Sequence, residues 1–246
     1  MRWYIINVKK HKFFIALISV FLFLAFSLLI SVSAVERIQR SELFISAGTE
    51  INNNKIIIID AGHGGEDSGA VGVNGSLEKD IAMSLAFEIG TLLEERGYAV
   101  VYTRTSDNLL YKPEENIKGI RKISDLKNRC EVAKNYPESV FISIHMNSFS
   151  QEKYSGLQVY YSENNELSRD IAESIQRKVR EDLQPVNNRV IKKGKDMYLM
   201  ENIDNPAVLI ECGFLSNREE CEKLSKKEYQ KQLSFSIVCG IIEAIK

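Results

Sequence analysis

Three short apolar runs in this chain stop on a polar, chemistry-bearing side chain. Lys-Ile-Ile-Ile-Ile-Asp-Ala-Gly runs into His63, Val-Phe-Ile-Ser-Ile into His145, and Ala-Val-Leu-Ile into Glu211. Runs this short and this rich in β-branched residues read as strands, and their near-continuous apolarity suits strands covered on both faces. Helical stretches lie between them. Ile81, Leu85, Ile89 and Leu92 with Leu93 line one face of the first, and Ile171, Ile175, Val179 and Leu183 one face of another. Strands alternating with helices predict βαβ units, hence a single α/β domain with a mostly parallel twisted sheet and helices on both faces. Right-handed crossovers carry all the strand-end loops of such a sheet to one rim, where ligands bind. His63, His145 and Glu211 are therefore expected to converge.

The pattern predicts strands at 55–60, 98–104, 139–144, 156–161 and 206–211. Helices are expected at 76–96, 124–135 and 166–183, with a closing helix from about residue 228. Ser76 is expected to cap the first helix and Gly97 to stop it. A glycine-rich loop from Gly62 to Gly75 follows the first strand, and residues 108–120 form a polar, irregular insertion. No Gly-Lys-Ser/Thr follows the glycines, so a phosphate loop is excluded.

Residues 1–34 read as an export signal: Arg2, Lys9, Lys10 and Lys12 precede an apolar run from Phe13 to Ile30, and Ser-Val-Ser-Ala34 suits cleavage. The run is 18 residues long, so retention as an N-terminal membrane anchor stays open beside cleavage. In either case the remainder is exported, with the membrane touched only through this segment. Residues 35–54 read as a tether, leaving 55–246 as the catalytic domain. The whole chain carries 32 Lys and Arg against 33 Asp and Glu, and losing the leader's cations makes the exported part mildly acidic. That gives no electrostatic footprint for nucleic acid. Cys130, Cys212, Cys221 and Cys239 show no C-x-x-C spacing and sit in apolar segments, which reads as buried small residues and not a disulfide framework.

His63 sits between glycines. Lacking side chains, Gly62, Gly64 and Gly65 are expected to let the chain turn and to leave room for a ligand beside the imidazole. Glu78 opens the following helix and faces back over His63 across one βα corner, with Asp80 and Glu66 as competitors for a third ligand position. Two histidines and a carboxylate form a common ligand set for catalytic zinc, with the fourth position left for water. Glu211 ends a strand that is otherwise apolar, where an unpaired charge is costly, and this suits a general base that passes a proton to a leaving amine. A Cys212 thiol nucleophile is disfavoured, because strand neighbours point to opposite faces. A glycosidase using Glu78 and Glu211 would leave the histidines without a task. A non-catalytic wall-binding module is a third reading.

The segments I-D-A-G-H63-G-G, L-E78-K-D, T-R104-T-x-D107, L-x-x-R129-x-x-x-A133, S-I-H145-M-N147 and P-A-V-L-I-E211-C-G-F-L-S-N217 jointly resemble the zinc-dependent N-acetylmuramoyl-L-alanine amidases of the amidase 3, or AmiC-like, family. The resemblance covers residues 55–246. It implies one zinc ion held by His63, Glu78 and His145, with Glu211 as the catalytic carboxylate. The implied reaction cleaves the amide between the lactyl group of muramic acid and the stem-peptide L-alanine of peptidoglycan. Arg129 and Asn147 fall at framework or substrate-contact positions. The 108–120 insertion is longer than in many relatives, and no wall-binding repeat or autoinhibitory insert is read. A minimal exported domain of this kind resembles the germination-specific amidases of spore-formers, which act in the spore cortex and supply the precursor of muramic δ-lactam; a vegetative autolysin is the rival within the family. The mobile-looking glycine loop between two ligands suggests weak metal retention and an exported accessory partner.

Overall fold

A computed structural model of the chain describes residues 55–117 and 120–246. The expected leader and tether, 1–34 and 35–54, lie outside the described residues. Among the described residues no helix is long and apolar enough to cross a membrane.

The elements follow the predicted alternation. In chain order they are β1 (Ile56–Ala61), α1 (Glu78–Glu94), β2 (Ala99–Tyr102), α2 (Arg121–Lys134), β3 (Val140–Asn147), β4 (Gln158–Tyr161), α3 (Leu167–Asp182), β5 (Lys192–Lys193), α4 (Tyr198–Asn202), β6 (Ala207–Phe214), α5 (Arg218–Leu224) and α6 (Lys227–Ile245). One sheet holds all six strands in the order β2-β1-β3-β6-β4-β5. β2, β1, β3 and β6 are mutually parallel, whereas β4 runs antiparallel to β6 and carries β5 parallel to itself. Not every strand end therefore reaches one rim, as expected from crossovers alone: β4 reverses, and its first residue lies at the rim where β6 ends.

Alternation along each strand explains the two layers. Ile57, Ile59 and Ala61 join Ile142, Ile144, Val208 and Ile210 on one face, against Leu85 and Ile89 of α1, Ile171 and Ile175 of α3, and Ile237 and Ile241 of α6. Ile58, Phe141, Ala207 and Leu209 pack on the other face against Cys130 and Ala133 of α2 and Leu199 and Met200 of α4. Burying side chains of this size contributes about 1.5–3 kcal/mol each, so both faces of the central strands are committed. All four cysteines are free and buried, and Cys212 faces the larger core layer.

The start of α1 departs from the sequence expectation. Leu77, not Ser76, is the N-cap residue, and no side chain caps the helix. The N–H groups of Glu78 and Lys79 donate to the carbonyls of Ala70 and Ser68 at 2.9 and 3.1 Å. The glycine loop itself thus satisfies donors that a capping hydroxyl would otherwise serve, and this fastens the loop to the helix end. Gly97 follows α1 with φ 82°, the left-handed stop expected of it.

Candidate metal centre

β1 and β3 are neighbours in register, with Ala61 opposite Ile144, so the residues just beyond them meet at one rim. His63, Glu78 and His145 place one ligand atom each within 4.8 Å of one another. His63 Nε2 lies 3.1 Å and His145 Nδ1 3.0 Å from the same oxygen, Glu78 Oε1. The two rings meet edge to face with centroids 4.9 Å apart. Of the three carboxylates considered for the third ligand position, Glu78 alone joins the cluster. Glu66 instead pairs with Arg121 at the surface.

The glycines serve this cluster differently from expectation. A Cβ on Gly62 would lie 2.4 Å from His145 Cε1, and one on Gly69 2.5 Å from Glu78 Oε2. On Gly64 it would meet the Asn108 carbonyl oxygen at 2.3 Å. The missing side chains therefore make room for the histidine and glutamate themselves and for the incoming 108–109 backbone, not for a separate ligand. His63 takes φ 59°, a strained conformation for a residue with a side chain.

Two arginines hold that conformation. Arg129 is buried and donates to Asp60 Oδ1 (2.6 Å), Asp125 Oδ2 (2.8 Å), and the carbonyls of Ala61 and His63 (2.8 Å each). Arg104 donates to the carbonyls of Ala61 (2.9 Å), Gly62 (3.1 Å) and Lys79 (2.8 Å). Three successive carbonyls of the His63 turn are thus gripped by guanidinium groups. Asp60 also accepts hydrogen bonds from Thr103 and Ser143. Burial works against its charge, but the Arg129 guanidinium and these hydroxyls hold its carboxyl below the usual range. Arg129 is a framework residue in this structure. Asn147, at the end of β3, accepts the Leu215 N–H through its carbonyl.

Electrostatics separate the carboxylates of the site. Burial opposes the charge of Glu78, yet His145 and His63 keep it ionised well below the ordinary range, and the N–H groups of Ala70 and Met146 donate to its oxygens at 2.8 and 3.0 Å. His63 is also partly desolvated, but Asp67, 3.0 Å from Nδ1, and Glu78 raise its pKa to about 9. Glu211 stands opposite His145 in the β3–β6 ladder. Burial, reinforced by the charge of Glu78, pushes its carboxyl up to about 7 against the pull of the two histidines. Its Oε2 is buried without a hydrogen-bond partner. That is costly for a structural group and suits a group awaiting a reaction partner.

The donor set fits a divalent metal of the zinc type: two imidazoles, one ionised carboxylate and an orienting carboxylate, Asp67, on the far nitrogen of His63. Asp60 and Arg104 lie in the segments that carry the resemblance and Asp67 lies just outside them, and the positioning role of none of the three was read from sequence. Asp67 stands four residues from His63 in a turn, where only geometry shows that it faces the ring.

The sequence profile of the N-acetylmuramoyl-L-alanine amidases matches residues 57–243, nearly the whole of the described domain. The chain belongs to this amidase family. The germination-specific N-acetylmuramoyl-L-alanine amidase of Bacillus subtilis is 38% identical over 192 residues, covering 77% of this chain and 79% of the relative. The CwlD amidase of Clostridioides difficile, solved in complex with the GerS lipoprotein, is 39% identical with a TM-score of 0.75, covering 78% of this chain and 98% of that one. The amidase AmiC2 of Nostoc punctiforme aligns at 29% identity with a TM-score of 0.65, covering 76% and 95%. The amidase family acts on peptidoglycan, and its activity class, hydrolysis of an amide, is that of this enzyme.

Proposed function

We propose that this amidase is zinc-dependent and cleaves the amide between the lactyl group of N-acetylmuramic acid and the L-alanine of the stem peptide. The observation that carries the reading is the three-residue donor cluster with the unpartnered Glu211 carboxylate on the adjoining strand. His63, Glu78 and His145 would hold the ion, and Asp67 would accept the His63 Nδ1 proton and so fix the tautomer that presents Nε2. Zinc, when bound, supplies a Lewis acid for the amide carbonyl and lowers the pKa of water to about 7. Glu211, with its carboxyl near the working pH, takes the proton from the attacking water and delivers it to the alanine nitrogen as that nitrogen leaves. Arg104 and Arg129 keep the His63 turn in place without touching the reacting atoms.

The role we infer is in the spore, with cortex peptidoglycan as the substrate, supported by the likeness to the germination-specific amidase of Bacillus subtilis. Export through the N-terminal segment agrees with a wall polymer as substrate. The complex of the CwlD relative with a lipoprotein supports an exported accessory partner that stabilises the metal-loaded form. The deciding experiment is mass spectrometry of purified cortex muropeptides incubated with the protein, with zinc and with EDTA. Peptides beginning with free L-alanine, together with peptide-free muramic acid, are expected with zinc only. Sugar-chain products insensitive to EDTA would replace this reading with a glycosidase, and unchanged masses even with the accessory partner added would replace it with a binding module.

A further inference from the structure

Beyond Glu211 the sheet continues into β4. Gln158, its first residue, pairs directly with Glu211 across the antiparallel ladder, so the two side chains share a face of the sheet. His145, Glu211 and Gln158 therefore stand side by side on three neighbouring strands. The guanidinium of Arg189 extends this row. Its Nη1 donates to Gln158 Oε1 at 3.0 Å and its Nε to the Ser155 carbonyl at 2.8 Å, while Cζ lies 4.5 Å from the centre of the Phe214 ring.

A cavity of about 550 Å³ opens at this point, with Ser155, Gly156, Gln184, Arg189, Asn217 and Lys223 among its lining residues. The other charges on its wall are committed. Lys223 pairs with Glu219 at 2.6 Å, and Glu220 accepts the N–H groups of Gly156 and Phe214 at 2.8 Å each. Arg189 is only partly buried and, among the described residues, its hydrogen bonds go to neutral oxygens alone. A guanidinium has five N–H donors and cannot lose its charge, so two bonds to neutral acceptors leave donors to spare, and the Glu220 carboxylate that feels its charge forms no ion pair with it. Held by Gln158, Ser155 and Phe214, it is also oriented in advance.

The spacing fits a short peptide. Strands lie about 4.8 Å apart, so Gln158 is about 10 Å from His145 across the sheet, and an extended chain rises about 3.3 Å per residue. A peptide leaving the scissile amide over Glu211 towards Arg189 covers about two residues on the way. Given the amidase reading, we propose that this cavity is the subsite for the stem peptide and that Arg189 anchors the free α-carboxylate of its second residue. The enzyme then discriminates a glutamyl residue there from its amidated form, because a carboxamide offers no charge and only one acceptor oxygen to the guanidinium fork.

The test uses the zinc-loaded full-length chain and two muropeptides that differ only in having D-glutamate or D-isoglutamine after L-alanine, with peptide release as the readout. The wild-type enzyme is expected to prefer the free carboxylate by about tenfold or more in kcat/KM, the range for a hydrogen bond to a charged group. Arg189→Gln brings the ratio close to one, and Arg189→Lys, which keeps a point charge without the fork, leaves an intermediate ratio. A wild-type ratio of one overturns the inference. So does an unchanged ratio in both variants, because a purely structural Arg189 would lower both rates alike. If the wild-type enzyme cleaves neither substrate, the functional reading itself fails and this subsite falls with it.

Discussion

On the β1 side of the site, charge is fully partnered: Asp60 meets Arg129, Thr103 and Ser143, Asp67 meets His63, and Glu78 meets both histidines and two backbone N–H groups. On the β6 side Glu211 is half-buried, and one oxygen of its carboxylate is buried without a partner. The first arrangement holds carboxylates ionised, and the second pushes a carboxyl up to about 7. Two neighbouring regions of one rim thus make opposite uses of the same functional group. Full satisfaction fixes the donor atoms where an ion would sit, whereas withholding a partner suits the proposed base, which would exchange a proton near neutral pH.

If that contrast is right, the largest effects come from the ligands. His63→Ala and His145→Ala are each expected to lose bound zinc and bring amide cleavage to background, checked by metal analysis alongside peptide release. One equivalent of zinc retained by both variants would place the ion elsewhere. Glu211→Gln should instead keep its zinc and lose about 10²–10⁴ in kcat, and wild-type turnover in this variant would remove Glu211 from the chemistry. Removing Arg129 strands the buried Asp60 charge, so Arg129→Ala is expected to destabilise the domain by about 3–5 kcal/mol in urea unfolding. A loss under about 1 kcal/mol would mean that the His63 turn stands without it.

The two smaller effects sharpen the comparison. Asp67→Asn keeps the turn but weakens orientation of His63, and zinc affinity should fall about 10–100-fold in competition titrations. The last concerns pH. The folded pKa of Glu211 lies above the ordinary 4.5, at about 7, so its ionisation penalises the metal-free fold as pH rises through this interval. The stability loss is absent below pH 4.5, complete above about 7, and no steeper than about 1.4 kcal/mol per pH unit. Glu211→Gln should flatten that part of the metal-free stability profile. An unchanged profile would show that Glu211 is not a group whose charge the fold penalises.

Much of this centre was legible because apolar runs break where chemistry begins: His63 lies two residues beyond β1, while His145 and Glu211 break the apolar pattern inside β3 and β6, which run on to Asn147 and Phe214. The βα corner made Glu78 a candidate but left Asp80 and Glu66 beside it; the resemblance favoured Glu78, and only geometry brings its carboxylate to the two histidines. The strand direction of β4 was not readable, since a four-residue run such as Gln158–Tyr161 carries no directional pattern. The short helices α4 and α5 escaped because one or two turns give too little periodicity. Asp60 and Asp67 needed geometry: the partners that give them meaning, Arg129 and His63, are identified by contact, not by spacing. Arg189 was invisible for the same reason, in a loop whose approach to Gln158 depends on the reversed strand.

The far edge of the sheet closes with β5, a two-residue strand made only of Lys192 and Lys193, both exposed. Sheet edges invite pairing with other chains, and short, lysine-bearing edges discourage it. Lys193 is held by Glu163, but two copies that met at this edge would bring their Lys192 side chains together before their backbones could pair. The same two residues that end the sheet thus favour dispersal of the enzyme over self-association.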